Sequence, residues 1–240
     1  MFLLAIFAVA VLSGATAAVA GFGIGSLLTP LLALRFGTAT AVALVALPHA
    51  AATALRWLRL RHAVDTRVLR SFGLLSAVGG LVGAFFYTRL SANGLSIVLG
   101  VLLIATSIAA LTDWARRWSP KGGIVYLLGL LSGLFGGLAG NQGGLRAAAL
   151  LPFNLSPVTY VATATATALL VDLARTPIYV WRAGAQLIEY QVPLLVATAG
   201  VLLGTLLGER LLLGMPPERF RRVIGIVIGL LGAWILAQAL

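Results

Sequence analysis

Residues 137–153 read GLAGNQGGLRAAALLPF, an apolar stretch that holds Asn141, Gln142 and Arg146 while Gly140, Gly143 and Gly144 interrupt its regularity. An isolated arginine at the centre of a bilayer costs about 2.5–3.5 kcal/mol on insertion scales, and irregular backbone facing lipid is costly as well. A compensating partner is required. Where a helix breaks, the first amides of the next helix lack acceptors and together present about half a positive charge. Glycine lets the chain turn there and lets an anion approach the backbone closely. Asn141 and Gln142 add side-chain amide donors. Arg146 lies one turn into the following helix, where its planar fork can bind two oxygens of one oxyanion.

A second stretch has the same form. At an offset of 119, AGFGIGSLLTPLL (20–32) lies over AGNQGGLRAAALL (139–151). Gly23 and Gly25 stand in the first break, followed by Ser26 and Thr29 as hydroxyl donors. The first stretch carries Phe22, Gly23 and Leu27 where the second has Asn141, Gln142 and Arg146, and Pro30 where the second has Ala149. Binding chemistry is therefore expected to concentrate in the second stretch. The candidate anion-binding set is Arg146, Asn141, Gln142, Gly143, Gly144, Gly23, Gly25, Ser26 and Thr29. Competing readings exist for each: membrane glycines also serve close helix packing, Arg146 also suits a snorkelling flank, and helix hydroxyls also bond their own backbone.

The elements that must hold these residues follow from composition. Hydrophobic residues make up 60 % of the 240, charged residues 10 %, and the mean hydropathy is +1.05. Soluble domains are about a quarter charged. The apolar runs are continuous and about twenty residues long, which suits helices crossing a hydrocarbon core of about 30 Å and excludes an alternating β-barrel. There is no cysteine and there are two histidines, so no disulfide, metal or cofactor is expected. The opening run ends in Ala18-Val19-Ala20, which resembles a signal-peptidase site. It lacks a basic leading region, and it is expected to stay as a membrane segment.

The chain reads as a duplication. GGLVGAFFYTRL (79–90) matches GVLLGTLLGERL (200–211) at an offset of 121, which also sets RHAVD (61–65) on RAGAQ (182–186). The first repeat spans 1–112, a polar linker 113–121, and the second repeat 122–240. Each holds one glycine-broken segment and three ordinary ones: 2–34 (broken at 21–25), 38–57, 67–88 and 94–112, then 122–151 (broken at 140–144), 156–178, 188–210 and 219–239. The fold class expected is all-α integral membrane, with two homologous four-segment repeats. Paired glycine-broken segments in corresponding places point to a transporter's central site.

Arginine and lysine placement bears on topology. If the broken segments cross straight through, basic residues divide almost evenly. If each dips in and returns as a hairpin, only Arg35, Arg89, Arg175 and Arg182 fall on one side, and the remainder, including Arg146, lie opposite. The hairpin arrangement obeys the positive-inside rule better. It also makes the repeats inverted, related by an axis in the membrane plane.

Two further ionisable residues sit inside predicted spans. His49 follows Pro48, and Asp172 precedes Arg175 by one turn. Both are candidates for carrying a proton coupled to anion movement, since histidine titrates near neutrality and a buried aspartate can be raised toward it. For Asp172 an i,i+3 ion pair with Arg175 near the membrane surface is the favoured reading. Thr163, Thr165 and Thr167 suit packing or lining equally. The net charge of +11 comes mainly from arginines in short loops and segment ends, where they set topology and meet anionic lipid headgroups. Nucleic-acid binding is not needed to explain it. A membrane serine protease is disfavoured because neither histidine accompanies a Gly-x-Ser-Gly sequence. An anion channel and a non-transporting assembly protein remain as alternatives.

The matched segments GFGIGSLLTPLL and GLFGGLAGNQGG, each followed by three spans, together with the short basic loop RHAVD, resemble the TauE/SafE family of sulfite and organosulfonate exporters. The resemblance covers essentially the whole chain. It implies a secondary carrier for small sulfur-containing anions, in multi-pass form in a bacterial inner membrane. The expected partners are the anion and membrane lipids, with a homo-oligomer left open.

Overall fold

A computed structural model describes the chain except residues 22, 113–121, 142, 151–152 and 213–216; of the side chains of residues 20, 148, 209–212 and 217–221 nothing is said. The described residues are helical throughout, with no strand. Ten helices are used below: α1 (Phe2–Ala20), α2 (Ile24–Phe36), α3 (Thr38–Leu60), α4 (Thr66–Phe86), α5 (Ala92–Leu111), α6 (Gly123–Ala139), α7 (Gly143–Leu150), α8 (Pro157–Glu189), α9 (Gln191–Leu212) and α10 (Pro217–Ala239). Seven of them, α1, α3, α4, α5, α8, α9 and α10, are long and apolar enough to cross a membrane, while α2 and α6 are shorter apolar helices.

The first two helices turn back on each other. Phe2 opens α1 and Phe36 closes α2, yet their ring centroids are 5.8 Å apart. In the second half, Val125 near the start of α6 and Leu150 at the end of α7 share one buried cluster with Phe72 and Phe153. These two pairs are seated on opposite faces. The first shares its face with Tyr190 at the end of α8, and the second with Phe72 near the start of α4.

Packing follows the matched glycines. Helix α4 lays Gly79 and Gly83 against carbonyls of Leu130 and Leu134 on α6, and α9 lays Gly204 against Val11 on α1. A Cβ at any of these would strike backbone, so small residues are what let the helices approach; lipid supplies no hydrophobic drive of its own. Helix α3 packs on α8, and α5 on α10. The central cluster holds α3 residues Ala41 to Ala46 with Leu28, Leu32, Tyr179 and Val201. Ile6 and Ala10 of α1 are fully buried there, so the opening segment is part of the core.

Segment boundaries agree with expectation except in α8, which runs to Glu189 rather than stopping near 178. Pro177 sits inside the helix, and the chain bends at Ala183 (φ −121°, ψ 19°). Burial of Tyr179, Ala183 and Leu187 against the core holds the extension in place.

Candidate functional site

Glycines make both turns. Gly21 (φ 76°) ends α1 and Gly140 (φ 70°) ends α6, their amides donating to Ala17 and Gly136 carbonyls at 3.0 Å. A side chain in that left-handed conformation costs about 1–2 kcal/mol. The two turns, far apart in sequence, touch. A Cβ on Gly25 would fall on the Gly140 carbonyl, and Ser26 Oγ donates to Asn141 Oδ1 at 3.0 Å. Helix α2 starts after Gly23 with no side-chain cap, so the amides of Ile24, Gly25 and Ser26 have no intrahelical acceptor.

A small cavity of about 10 Å³, near the least space that admits one water, lies at this junction. Gly21, Gly23, Gly25 and Ser26 line it from the first half, Gly140, Asn141, Gly143 and Arg146 from the second, with His49, Arg56 and Ala168 closing the sides. The groups facing it are mostly donors. Arg146 is 3 % exposed; its Nη1 donates to the Ala164 carbonyl at 2.9 Å, and its Nε has no partner. Arg56 is 4 % exposed, and neither its Nε nor its Nη1 has a partner. Asn141 Nδ2 is also buried and unpaired. A buried unpaired donor costs about 1–3 kcal/mol, more when charged. Several such donors converge on this one cavity.

Beside the cavity lies an ionic cluster. His49 Nδ1 is 2.7 Å from Asp172 Oδ2, and Arg175 donates to Asp172 Oδ1 from Nε at 3.0 Å. Arg175 Nη1 also donates to the Gly136 carbonyl at 2.5 Å, and Tyr179 donates its hydroxyl to the Gly137 carbonyl. The expected Asp172–Arg175 pair forms, and both side chains are fully buried within the helix bundle. The buried charges have partners that lipid could not give: His49 and Arg175 for Asp172, and the Gly136 carbonyl for Arg175. Arg175 is correspondingly not a loop charge.

Of the expected site residues, Gly23, Gly25, Ser26, Asn141, Gly143 and Arg146 line the cavity, as does His49. Thr29 is buried next to Gly140 without lining the cavity, and its hydroxyl is unpaired. Gly144 faces Thr106 of α5 instead, where a Cβ would crowd the threonine side chain. Gln142 falls outside the described residues. Thr163 accepts from the Asp65 amide at 2.9 Å, a structural bond. Arg56 is the residue that sequence reasoning missed. It stands in RWLRLRHAVD, which reads as a basic loop flank; the available signal was that it lies 119 positions before Arg175, the offset that aligns the two breaks.

Among the described residues no group of three or more histidine, cysteine, aspartate or glutamate side chains comes together. A many-helix bundle whose apolar crossings enclose short helices, chain turns and buried cations has the architecture of a membrane transport protein. The chain belongs to the sulfite exporter TauE/SafE family, whose model matches residues 6–235 of the 240. No curated protein and no solved structure matches the chain.

Proposed function

We propose that the protein is a secondary carrier in the inner membrane of a bacterium. It exports a small sulfur-containing anion, such as sulfite or an organosulfonate, by alternating access. The observation that carries this reading is the pair of buried arginines, Arg56 and Arg146, that face one cavity with no carboxylate partner among the described residues. Three buried arginines stand against one buried aspartate, and an anion between the two helix starts offsets the excess.

The two repeats, 1–112 and 122–240, are then inverted, and each glycine break is the tip of a re-entrant hairpin. Support comes from the packing, in which helices exchange partners between halves: α1 with α9, α6 with α4, α3 with α8, and α5 with α10. A two-fold relation between the halves generates that pattern, and the odd number of crossings in each half makes its axis lie in the membrane plane. The Phe2–Phe36 contact supports a returning chain in the first half. In this mechanism the halves rock about the junction where Gly25 meets Gly140. His49 lines the cavity while Asp172 holds its Nδ1, an arrangement suited to coupling proton movement to the anion.

Flux of a panel of sulfur anions into proteoliposomes tests the proposal. Saturable, proton-gradient-dependent flux that falls at least tenfold in Arg146→Ala and Arg56→Gln is expected, the tenfold corresponding to about 1.4 kcal/mol. Non-saturating flux would favour a channel. Unaltered flux in both variants would overturn the site.

A further inference from the structure

A second cavity, about 230 Å³, opens beyond the first and is lined by Ala18, Arg56, Arg59, Leu60, Thr205 and Leu206. It lies where the ends of α1 and α3 meet α9, at the face from which Arg61, Arg67 and Arg70 emerge. Arg56 lines both cavities and is their shared wall. Two features mark the outer cavity as a built site rather than a gap in packing. The Thr205 hydroxyl is 97 % buried (relative exposure 3 %) and has no partner, although helical threonines commonly bond a carbonyl of the preceding turn. The guanidinium of Arg56 is likewise buried with Nε and Nη1 unpaired. Arg59 adds a second fixed charge, and Leu60 and Leu206 supply apolar walls.

We propose that this vestibule is an outer anion site, which takes a small oxyanion, sulfonate or sulfite-like, from the arginine-rich face before Arg56 passes it to the central cavity. The space admits such an ion with several waters, each occupying about 30 Å³. The hydroxyl and the arginines give donors, while the leucines leave room for a short alkyl group. On the opposite face the equivalent position is shut. Arg175, 119 residues after Arg56, is engaged by Asp172 and the Gly136 carbonyl, and Tyr179 bonds Gly137 beside it. Free arginine and open vestibule therefore occur together at one of the two matched positions, engaged arginine and closed packing at the other. The proposal rests on the anion reading above for where the ion goes next, though not for its capture in the vestibule.

The chain has no cysteine, so a single introduced thiol reports alone. Thr205→Cys, with Ala18→Cys as a second reporter on the facing wall, is labelled in membrane vesicles by anionic 2-sulfonatoethyl methanethiosulfonate or by its cationic trimethylammonium counterpart. Rates are normalised to a free thiol. The anionic reagent is expected to react about tenfold faster or more, within the range a charged, low-dielectric cleft confers. The preference should appear only when reagent is added from the arginine-rich face, should be slowed by methanesulfonate, and should collapse in Arg56→Gln. Equal normalised rates, labelling only from the opposite face, or no labelling of either thiol would overturn the vestibule. The flux assay of Arg146→Ala is separate: lost flux with unbiased labelling defeats only the outer site, and biased labelling with unaltered flux defeats only the central one.

Discussion

Among the described residues Asp172 is the one carboxylate that pairs with two buried cationic or potentially cationic side chains, His49 and Arg175. Breaking a buried pair from one side leaves an uncompensated charge and costs about 3–5 kcal/mol. Asp172→Asn is therefore expected to lower the thermal unfolding temperature of detergent-solubilised protein sharply. Adding Arg175→Gln should cost much less than the sum of the two single changes, because the stranded cation is then gone. An unchanged unfolding temperature in Asp172→Asn would defeat the account of the cluster. At this scale the sequence is legible only where partners are close along the chain. The spacing of Asp172 and Arg175 announces their pairing, whereas His49 is 123 residues distant and joins them only through the packing of α3 on α8. Arg56 was hidden by its neighbours: among Arg59, Arg61 and Arg67 it reads as surface charge, and only the depth to which α3 carries it shows otherwise.

Glycine breaks are what the helices contribute, and they were readable because the interruptions recur at matching positions in the two halves of the sequence. Which glycine does what was not readable. Gly25 permits contact between the two turns, Gly144 makes room for Thr106, and Gly79, Gly83 and Gly204 seat neighbouring helices, although all look alike in sequence. Gly25→Ala would place a methyl on the Gly140 carbonyl and wedge the junction apart. Overpacking of this kind costs about 1–3 kcal/mol. The variant is expected to lose the rise in unfolding temperature that sulfite or a sulfonate gives the parent protein, a stabilisation of about 2.7 kcal/mol at a hundredfold excess over Kd. Gly123→Ala, where a Cβ meets nothing within 4 Å, should retain it. Equal anion-induced stabilisation in both variants would separate binding from the junction. Helix α8 runs longer than the sequence suggests for the complementary reason: proline stops an isolated helix, but a helix clamped in a core can carry Pro177 through.

For the whole molecule, the direction of the vestibule depends on which face meets the cytoplasm. The face bearing Arg59, Arg61, Arg67 and Arg70 is also the one at which α6 begins, since Val125 near its start packs with Phe72 near the start of α4. The opposite face has Arg35, Arg89 and Arg182, with Arg35 over Phe2 and Arg182 over Trp181 as interfacial anchors. Arginine and lysine near span ends are retained on the cytoplasmic side, so the vestibule is expected to face inward, and the start of α1 and the end of α10 outward. The position of α10 follows from Trp234 and Gln238, which share a cavity with Leu34, Thr38 and Ser96 near the start of α3. A phosphatase fused after Leu240 should therefore be active and a fluorescent protein there dark, while insertion between residues 113 and 121 should reverse both signals. The reverse pattern would put the vestibule on the outer face. Export would then have to begin at the closed side, where Arg175 and Tyr179 already hold the α6 carbonyls, so the same result would count against the direction of transport as well as the orientation.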